Sequence, residues 1–115
     1  MAASLSTRKD GAIAIVEVHG NITLGPILHA LQSTAKRLLN EPGCAGLVLN
    51  LAEVGTVDSA GIGGLVAVYT SAAEHKLAVA LVRASPQIRR MLGITRVDEM
   101  FEFADDEQSA ARQLR

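Results

Sequence analysis

The chain has 115 residues, of which 49% are hydrophobic, 20% charged and 3% aromatic, with a formal net charge of -1 and one cysteine. This length and composition indicate one globular domain with its own core, and they provide neither a basic surface nor a stacking surface for nucleic acid. The single cysteine excludes an internal disulfide and favours the cytoplasm, and no signal peptide or bilayer-spanning run is apparent.

The first half of the chain predicts strand, helix and strand. A buried strand is expected over residues 12–18, AIAIVEV, with a short edge strand before Lys9. Gly20 and Gly25 then mark a loop, and Pro26 suits the first position of a helix that ends in the sequence NEPG at 40–43. The next strand is LVLNL at 47–51.

The stretch 47–64 carries the most informative pattern in the chain, a strand followed by a loop and the start of a helix. After its strand and a turn at Gly55, Asp58 and Ser59 stand at the start of a helix whose first turns hold three glycines. Asp and Ser are good N-cap residues because their oxygens accept the unpaired N–H groups of the first turn. The small residues leave the region without bulk where this loop and helix would meet a partner.

The second half predicts a third buried strand over 77–82 and a short helix that starts at Ser85-Pro86 and is closed by Gly93. A weak last strand is expected over 100–103, and Asp105-Asp106 open a terminal helix. Strands that alternate with helices favour an α/β fold with a parallel or mixed sheet and covering helices. We expect a single domain over 1–115, with its core at about 12–111.

Enzymatic and ligand-binding motifs are weak. Ser59 with Gly61 resembles half of a nucleophile elbow, but Val57 replaces the first glycine and His75 is the only histidine that follows. The glycine cluster lacks the phosphate-loop lysine, and the histidines and Cys44 have no metal-ligand spacing. Arg89, Arg90 and Arg96 come close in sequence to three acids, which predicts a solvated, salt-bridged face.

Two interpretations of Asp58-Ser59 remain open. Either the pair only caps the helix, or Ser59 is also a phosphoacceptor. A phosphate adds about two negative charges, and a helix N-terminus tolerates them, so the fold would survive while the surface changes from neutral to strongly anionic. Such a change switches partner binding without a large conformational change.

The sequence resembles a STAS domain of the anti-sigma-factor antagonist type. The matching elements are Gly20-Asn21-Ile22-Thr23 after the first buried strand, the strand 47–51, and Asp58-Ser59-Ala60-Gly61-Ile62-Gly63, which fits the signature D-S-[SA]-G-[ILV]-G. The resemblance covers about residues 12–111. It implies a small mixed β-sheet with helices packed mainly on one side, and a protein that is not an enzyme.

The resemblance also implies a function. The unphosphorylated antagonist binds an anti-sigma factor, often a serine kinase, and so releases a sigma factor; phosphorylation of Ser59 weakens binding and a phosphatase resets it. No cofactor is expected, since ATP belongs to the partner. The residues implied to bind the partner are Asp58, Ser59, Ala60, Gly61, Ile62, Gly63, Asn21 and Thr23. Asn21 and Thr23 replace loop acids that many members carry, and Ala60 removes an alternative acceptor.

The alternative function is a STAS adaptor or ligand-sensing subunit of another signalling or transport assembly. That alternative predicts direct small-ligand binding and indifference to modification of Ser59. In either case we expect a monomer, because no exposed apolar stripe is evident, and no direct contact with nucleic acid or membrane.

Overall fold

The computed structural model describes residues 3–115. In chain order the elements are β1 (Ser4–Asp10), β2 (Ile13–His19), α1 (Pro26–Leu39), β3 (Gly46–Glu53), α2 (Ser59–Glu74), β4 (Val79–Val82), α3 (Pro86–Ile94), a 3-10 helix (Asp98–Met100), β5 (Glu102–Ala104) and α4 (Glu107–Leu114). The predicted alternation of strands and helices is confirmed, and the expected edge strand before Lys9 extends through Asp10.

The five strands form one mixed sheet in the order β1-β2-β3-β4-β5. β1 pairs with β2 in antiparallel orientation, whereas the pairs β2–β3, β3–β4 and β4–β5 are parallel. β2, β3 and β4 are near-continuous apolar runs, as expected for parallel strands with both faces covered. Their carboxyl ends lie at one edge of the sheet, so the loops that follow β2 and β3 emerge side by side.

The sheet separates two apolar cores of unequal size. Alternate side chains of β2, such as Val16 and Val18, face a large core shared with α1, α2 and α3. Ile13 and Ile15 face the opposite side, where the eight-residue α4 is the one helix among residues 3–115 that covers the sheet. The predicted arrangement, with helices mainly on one side, is confirmed.

Several boundaries differ from the sequence predictions. β2 covers Ile13–His19 rather than 12–18, and β3 covers Gly46–Glu53 rather than 47–51. β4 begins at Val79 rather than at residue 77, and β5 covers Glu102–Ala104 because the residues before it form the 3-10 helix. The prediction that Gly93 closes α3 is wrong, since the helix continues to Ile94 and is capped by Thr95.

The residues that follow the C-caps of α2 and α3 are Lys76 and Arg96, and both adopt the left-handed conformation in which glycine is usually found. Lys76 has φ 58° after α2, and Arg96 has φ 61° after α3. In each case the next residue donates its N–H back into the helix, from Leu77 to Ala72 at 2.9 Å and from Val97 to Leu92 at 3.0 Å. This is the Schellman hydrogen-bond pattern, which ends a helix at a residue in the left-handed conformation.

Candidate functional site

The loop between β2 and α1 and the loop between β3 and α2 are joined at the carboxyl edge of the sheet. Ile22 and Val57 form an isolated parallel bridge. The Ile22 N–H donates to the Thr56 carbonyl at 3.0 Å, and the Asp58 N–H donates to the Ile22 carbonyl at 3.4 Å. Ile22 is fully buried. The two loops therefore form one continuous structure, which we call the loop pair (residues 20–25 and 54–58).

Asn21 braces the loop pair from the side. Its side-chain Oδ1 accepts the Thr56 N–H at 3.0 Å. Gly20, just before it, has φ 96° and donates its N–H to the Glu53 carbonyl at 3.1 Å. The neutral residue at position 21 thus has a clear structural contact, while its part in partner binding stays a prediction, as does that of the half-buried Thr23.

Asp58 is the N-cap of α2, and it also fastens the first loop to the helix. Its Oδ1 accepts the Gly61 N–H at 2.7 Å and its Oδ2 accepts the Leu24 N–H at 3.0 Å. These bonds, that from Leu24 first, hold the pKa of the Asp58 carboxyl below its usual value because they favour the ionised form. The Asp58 carboxylate therefore connects the start of α2 to Leu24, which lies 34 positions earlier in the chain.

Ser59 is the first residue of α2 and is exposed. Because Asp58 supplies the cap, the Ser59 hydroxyl is left without a hydrogen-bond partner among residues 3–115. The cap and the candidate phosphoacceptor are thus two different residues, and the hydroxyl is open to a partner.

The three glycines of α2 differ in their surroundings. A Cβ built on Gly61 would lie 1.9 Å from the Ile22 carbonyl oxygen, so the helix touches the loop pair through bare backbone. A Cβ on Gly64 would lie 3.0 Å from Leu28 Cδ2, where α1 packs closely. A Cβ on Gly63 would meet nothing within 4 Å. Gly63 is therefore a bare surface position, and the other two are packing positions.

The structure brings the eight predicted partner-binding residues together around the loop pair and the first turns of α2, but at different depths. Ser59, Gly63 and Asn21 are exposed, whereas Gly61 is buried and Ile62, 7% exposed, packs in the large core. A direct side-chain contact with a partner is therefore open to Ser59 and Asn21 and a backbone contact to Gly63, while Gly61 and Ile62 shape the helix start.

Sequence reasoning missed Leu24. This side chain is 81% exposed, beside the N-terminus of α1, and its backbone is bonded to Asp58. The signal that could have found it is an apolar residue placed between Thr23 and Gly25 in a loop, outside the periodicity of any helix or strand.

The hydrolase alternative has no geometric support. His75 caps the far end of α2, and a helix of 16 residues separates it from Ser59 by roughly 24 Å at 1.5 Å per residue. Within residues 3–115 there is no cluster of three metal-ligating side chains. None of the helices in that range has the length and apolar character that a membrane span requires.

The prediction of salt bridges at Arg89, Arg90 and Arg96 is wrong. Among the described residues, Arg89, Arg90 and Arg96 form no ion pair. Arg89 instead lies over the ring of Phe103, with its guanidinium carbon 4.5 Å from the ring centroid. A cation over an aromatic face is an alternative that sequence proximity to acids does not reveal.

Taken together, the fold and the site define an α/β domain that presents a helix N-terminus beside two joined loops at one edge of a mixed sheet. The chain belongs to the STAS domain family, whose sequence pattern matches residues 4–110. The resemblance drawn from the central signature is thereby confirmed.

Solved structures with the same fold come from several organisms. A candidate anti-sigma factor antagonist from Thermotoga maritima aligns with TM-score 0.85 and 20% identity, covering 96% of this chain and 94% of that chain. The Bacillus cell fate determinant SpoIIAA in its phosphorylated form gives TM-score 0.74 and 12% identity, covering 97% and 100%. A sulfate transporter family protein from Wolinella succinogenes gives TM-score 0.73 and 19% identity, covering 90% and 87%. No curated protein sequence matches the chain.

Proposed function

We propose that this domain is an anti-sigma-factor antagonist that works as a phospho-switched binding module and not as an enzyme. In the unphosphorylated state it binds an anti-sigma factor that is also a serine kinase, and so frees a sigma factor for transcription. Phosphorylation of Ser59 ends the binding and a phosphatase restores it. The setting is the cytoplasm, where ATP and sigma factors are found.

The observation that carries the proposal is the state of the Ser59 hydroxyl. It is exposed, it has no hydrogen-bond partner among the described residues, and it stands at the first position of a 16-residue helix. A kinase needs such access, and the fold needs nothing from this hydroxyl because Asp58 already caps the helix.

The electrostatics of α2 suit a phosphate there. The helix N-terminus carries partial positive charge, which offsets part of the added charge and keeps the helix intact. Asp58, ionised beside it, adds like charge. The surface therefore changes from nearly neutral to strongly anionic while the fold persists, which supports a switch in binding without a change in shape.

The test is a pull-down from extract of the native cell with the wild type, Ser59→Ala and Ser59→Asp as baits. We expect the wild type and Ser59→Ala to retain a kinase that Ser59→Asp does not retain. Gln108→Asp is the matched control, because Gln108 is exposed on α4, on the opposite face of the sheet. Intact-mass analysis of protein purified from its own host should show a fraction with one phosphate, absent in Ser59→Ala.

If all baits retain the same proteins and no phosphate is found, the proposal is wrong. The domain would then be a STAS adaptor or ligand-sensing subunit of another assembly, an alternative supported by the shared fold of the Wolinella succinogenes sulfate transporter family protein. Calorimetric binding of a small ligand that ignores Ser59→Asp would support that alternative.

A further inference from the structure

Two large apolar side chains are strongly exposed among residues 3–115, and they lie at different places. Leu24 is 81% exposed in the loop pair, and Ile94 is 74% exposed at the C-terminal end of α3. Single exposed apolar residues are common on protein surfaces, so exposure alone says little. What distinguishes Leu24 is the way in which the structure holds it.

Leu24 is fixed in position by its backbone. Its N–H donates to Asp58 Oδ2 at 3.0 Å, and the Leu28 N–H donates to the Gly25 carbonyl at 3.1 Å just beyond it. Pro26, the first residue of α1, has a fixed φ that stiffens the same turn. A side chain on a backbone already ordered in this way loses little conformational entropy when a partner binds it.

The surroundings of Leu24 carry almost no charge. The segments 20–35 and 54–73 contain no lysine, arginine or glutamate, and Asp58 is their one carboxylate. Both of its oxygens accept N–H groups of this same chain. The part of a partner that contacts Leu24 therefore needs an apolar surface and no cation to pair with this loop.

We propose that Leu24 is the apolar anchor of the complex, and that it enters an apolar pocket of the anti-sigma factor next to Ser59. This inference rests on the proposed function and names the chemistry of the partner surface. A phosphate on Ser59 would lie beside this pocket and lose part of its water there, and desolvated charge without a partner is costly, so the inference adds a reason for the phosphate to weaken binding.

The experiment uses the purified protein that the wild type retains and Ser59→Asp loses. Calorimetric titration of that protein with Leu24→Ala should give a Kd about tenfold to a hundredfold weaker, the range that burial of a leucine side chain provides. Leu24→Met, which keeps an apolar side chain of similar volume, should bind within a few-fold of the wild type. Ile94→Ala is the matched control and should bind like the wild type. All three variants should melt within about 2 °C of it, because both side chains are exposed.

The outcomes separate this inference from the proposed function. If Leu24→Ala binds as tightly as the wild type while Ser59→Asp does not bind, Leu24 is no anchor, although the phospho-switch stands. An equal loss in Ile94→Ala would also overturn the inference, since the effect would not be specific to the loop pair. If no protein distinguishes Ser59→Asp from the wild type, the proposed function fails and this inference fails with it.

Discussion

Gly61→Ala should strongly destabilise the protein, although alanine is the better helix former. The added Cβ would lie 1.9 Å from the Ile22 carbonyl oxygen and 2.8 Å from Val57 Cγ1. To restore ordinary contact the loop must retreat by roughly 1.5 Å, which strains or breaks the bonds from Asp58 to Ile22 and from Ile22 to Thr56. Both obstacles are interior parts of the fold, a backbone carbonyl and a buried side chain, so neither moves freely.

The magnitude follows from three contributions. Overpacking costs about 1–3 kcal/mol. Each weakened backbone hydrogen bond costs about 1 kcal/mol. The higher helix propensity of alanine offsets about 1 kcal/mol of this loss. The expected net loss is about 2–4 kcal/mol of unfolding free energy, or a fall in Tm of about 10 °C or more.

The assay is urea unfolding followed by circular dichroism, with Gly63→Ala as the matched control. Gly63 lies in the same helix two residues on, and its added Cβ would meet nothing within 4 Å. That variant should gain about 0.5–1 kcal/mol through propensity alone. If Gly61→Ala is as stable as Gly63→Ala, the close approach of α2 to the loop pair does not restrict position 61 to glycine.

Two further predictions concern helix ends. Because hydrogen bonds lower the folded-state pKa of Asp58, its stabilisation is present above the unfolded pKa of about 3.9 and is lost as pH falls through the folded value. As the pH is lowered, the urea midpoint should therefore fall less for Asp58→Asn than for the wild type. Asp105→Asn is the control and should behave like the wild type, because the Asp105 carboxylate accepts no hydrogen bond among the described residues. Equal pH profiles for all three proteins would contradict the role of Asp58. Lys76→Gly should raise the unfolding free energy by about 0.5–1 kcal/mol, because Lys76 has φ 58°. Lys76→Ala keeps its Cβ and should not stabilise, so equal gains from both variants would refute the conformational explanation.

Local sequence patterns determined most of the secondary structure. The apolar runs predicted β2, β3 and β4, and Pro26, Asp58, Ser85 and Asp106 stand at or next to the helix starts they suggested. These signals succeed because strand burial and helix capping depend on residues within a few positions of each other. The prediction failed at the end of α3, since the left-handed turn after the helix is taken by Arg96, a residue type seldom found in that conformation, rather than by Gly93.

The signature around Ser59 also determined the family and located the candidate phosphoacceptor. Only the tertiary structure decided how that serine is presented. The bridge between Ile22 and Val57 and the bond from Leu24 to Asp58 join segments more than 30 residues apart in sequence. The bond from Leu24 occupies the second oxygen of the Asp58 carboxylate and holds Leu24 at the surface near the exposed Ser59. Periodicity and spacing report one segment's burial at a time, so a contact between two loops becomes visible only when the parallel strands β2 and β3 set their carboxyl ends side by side.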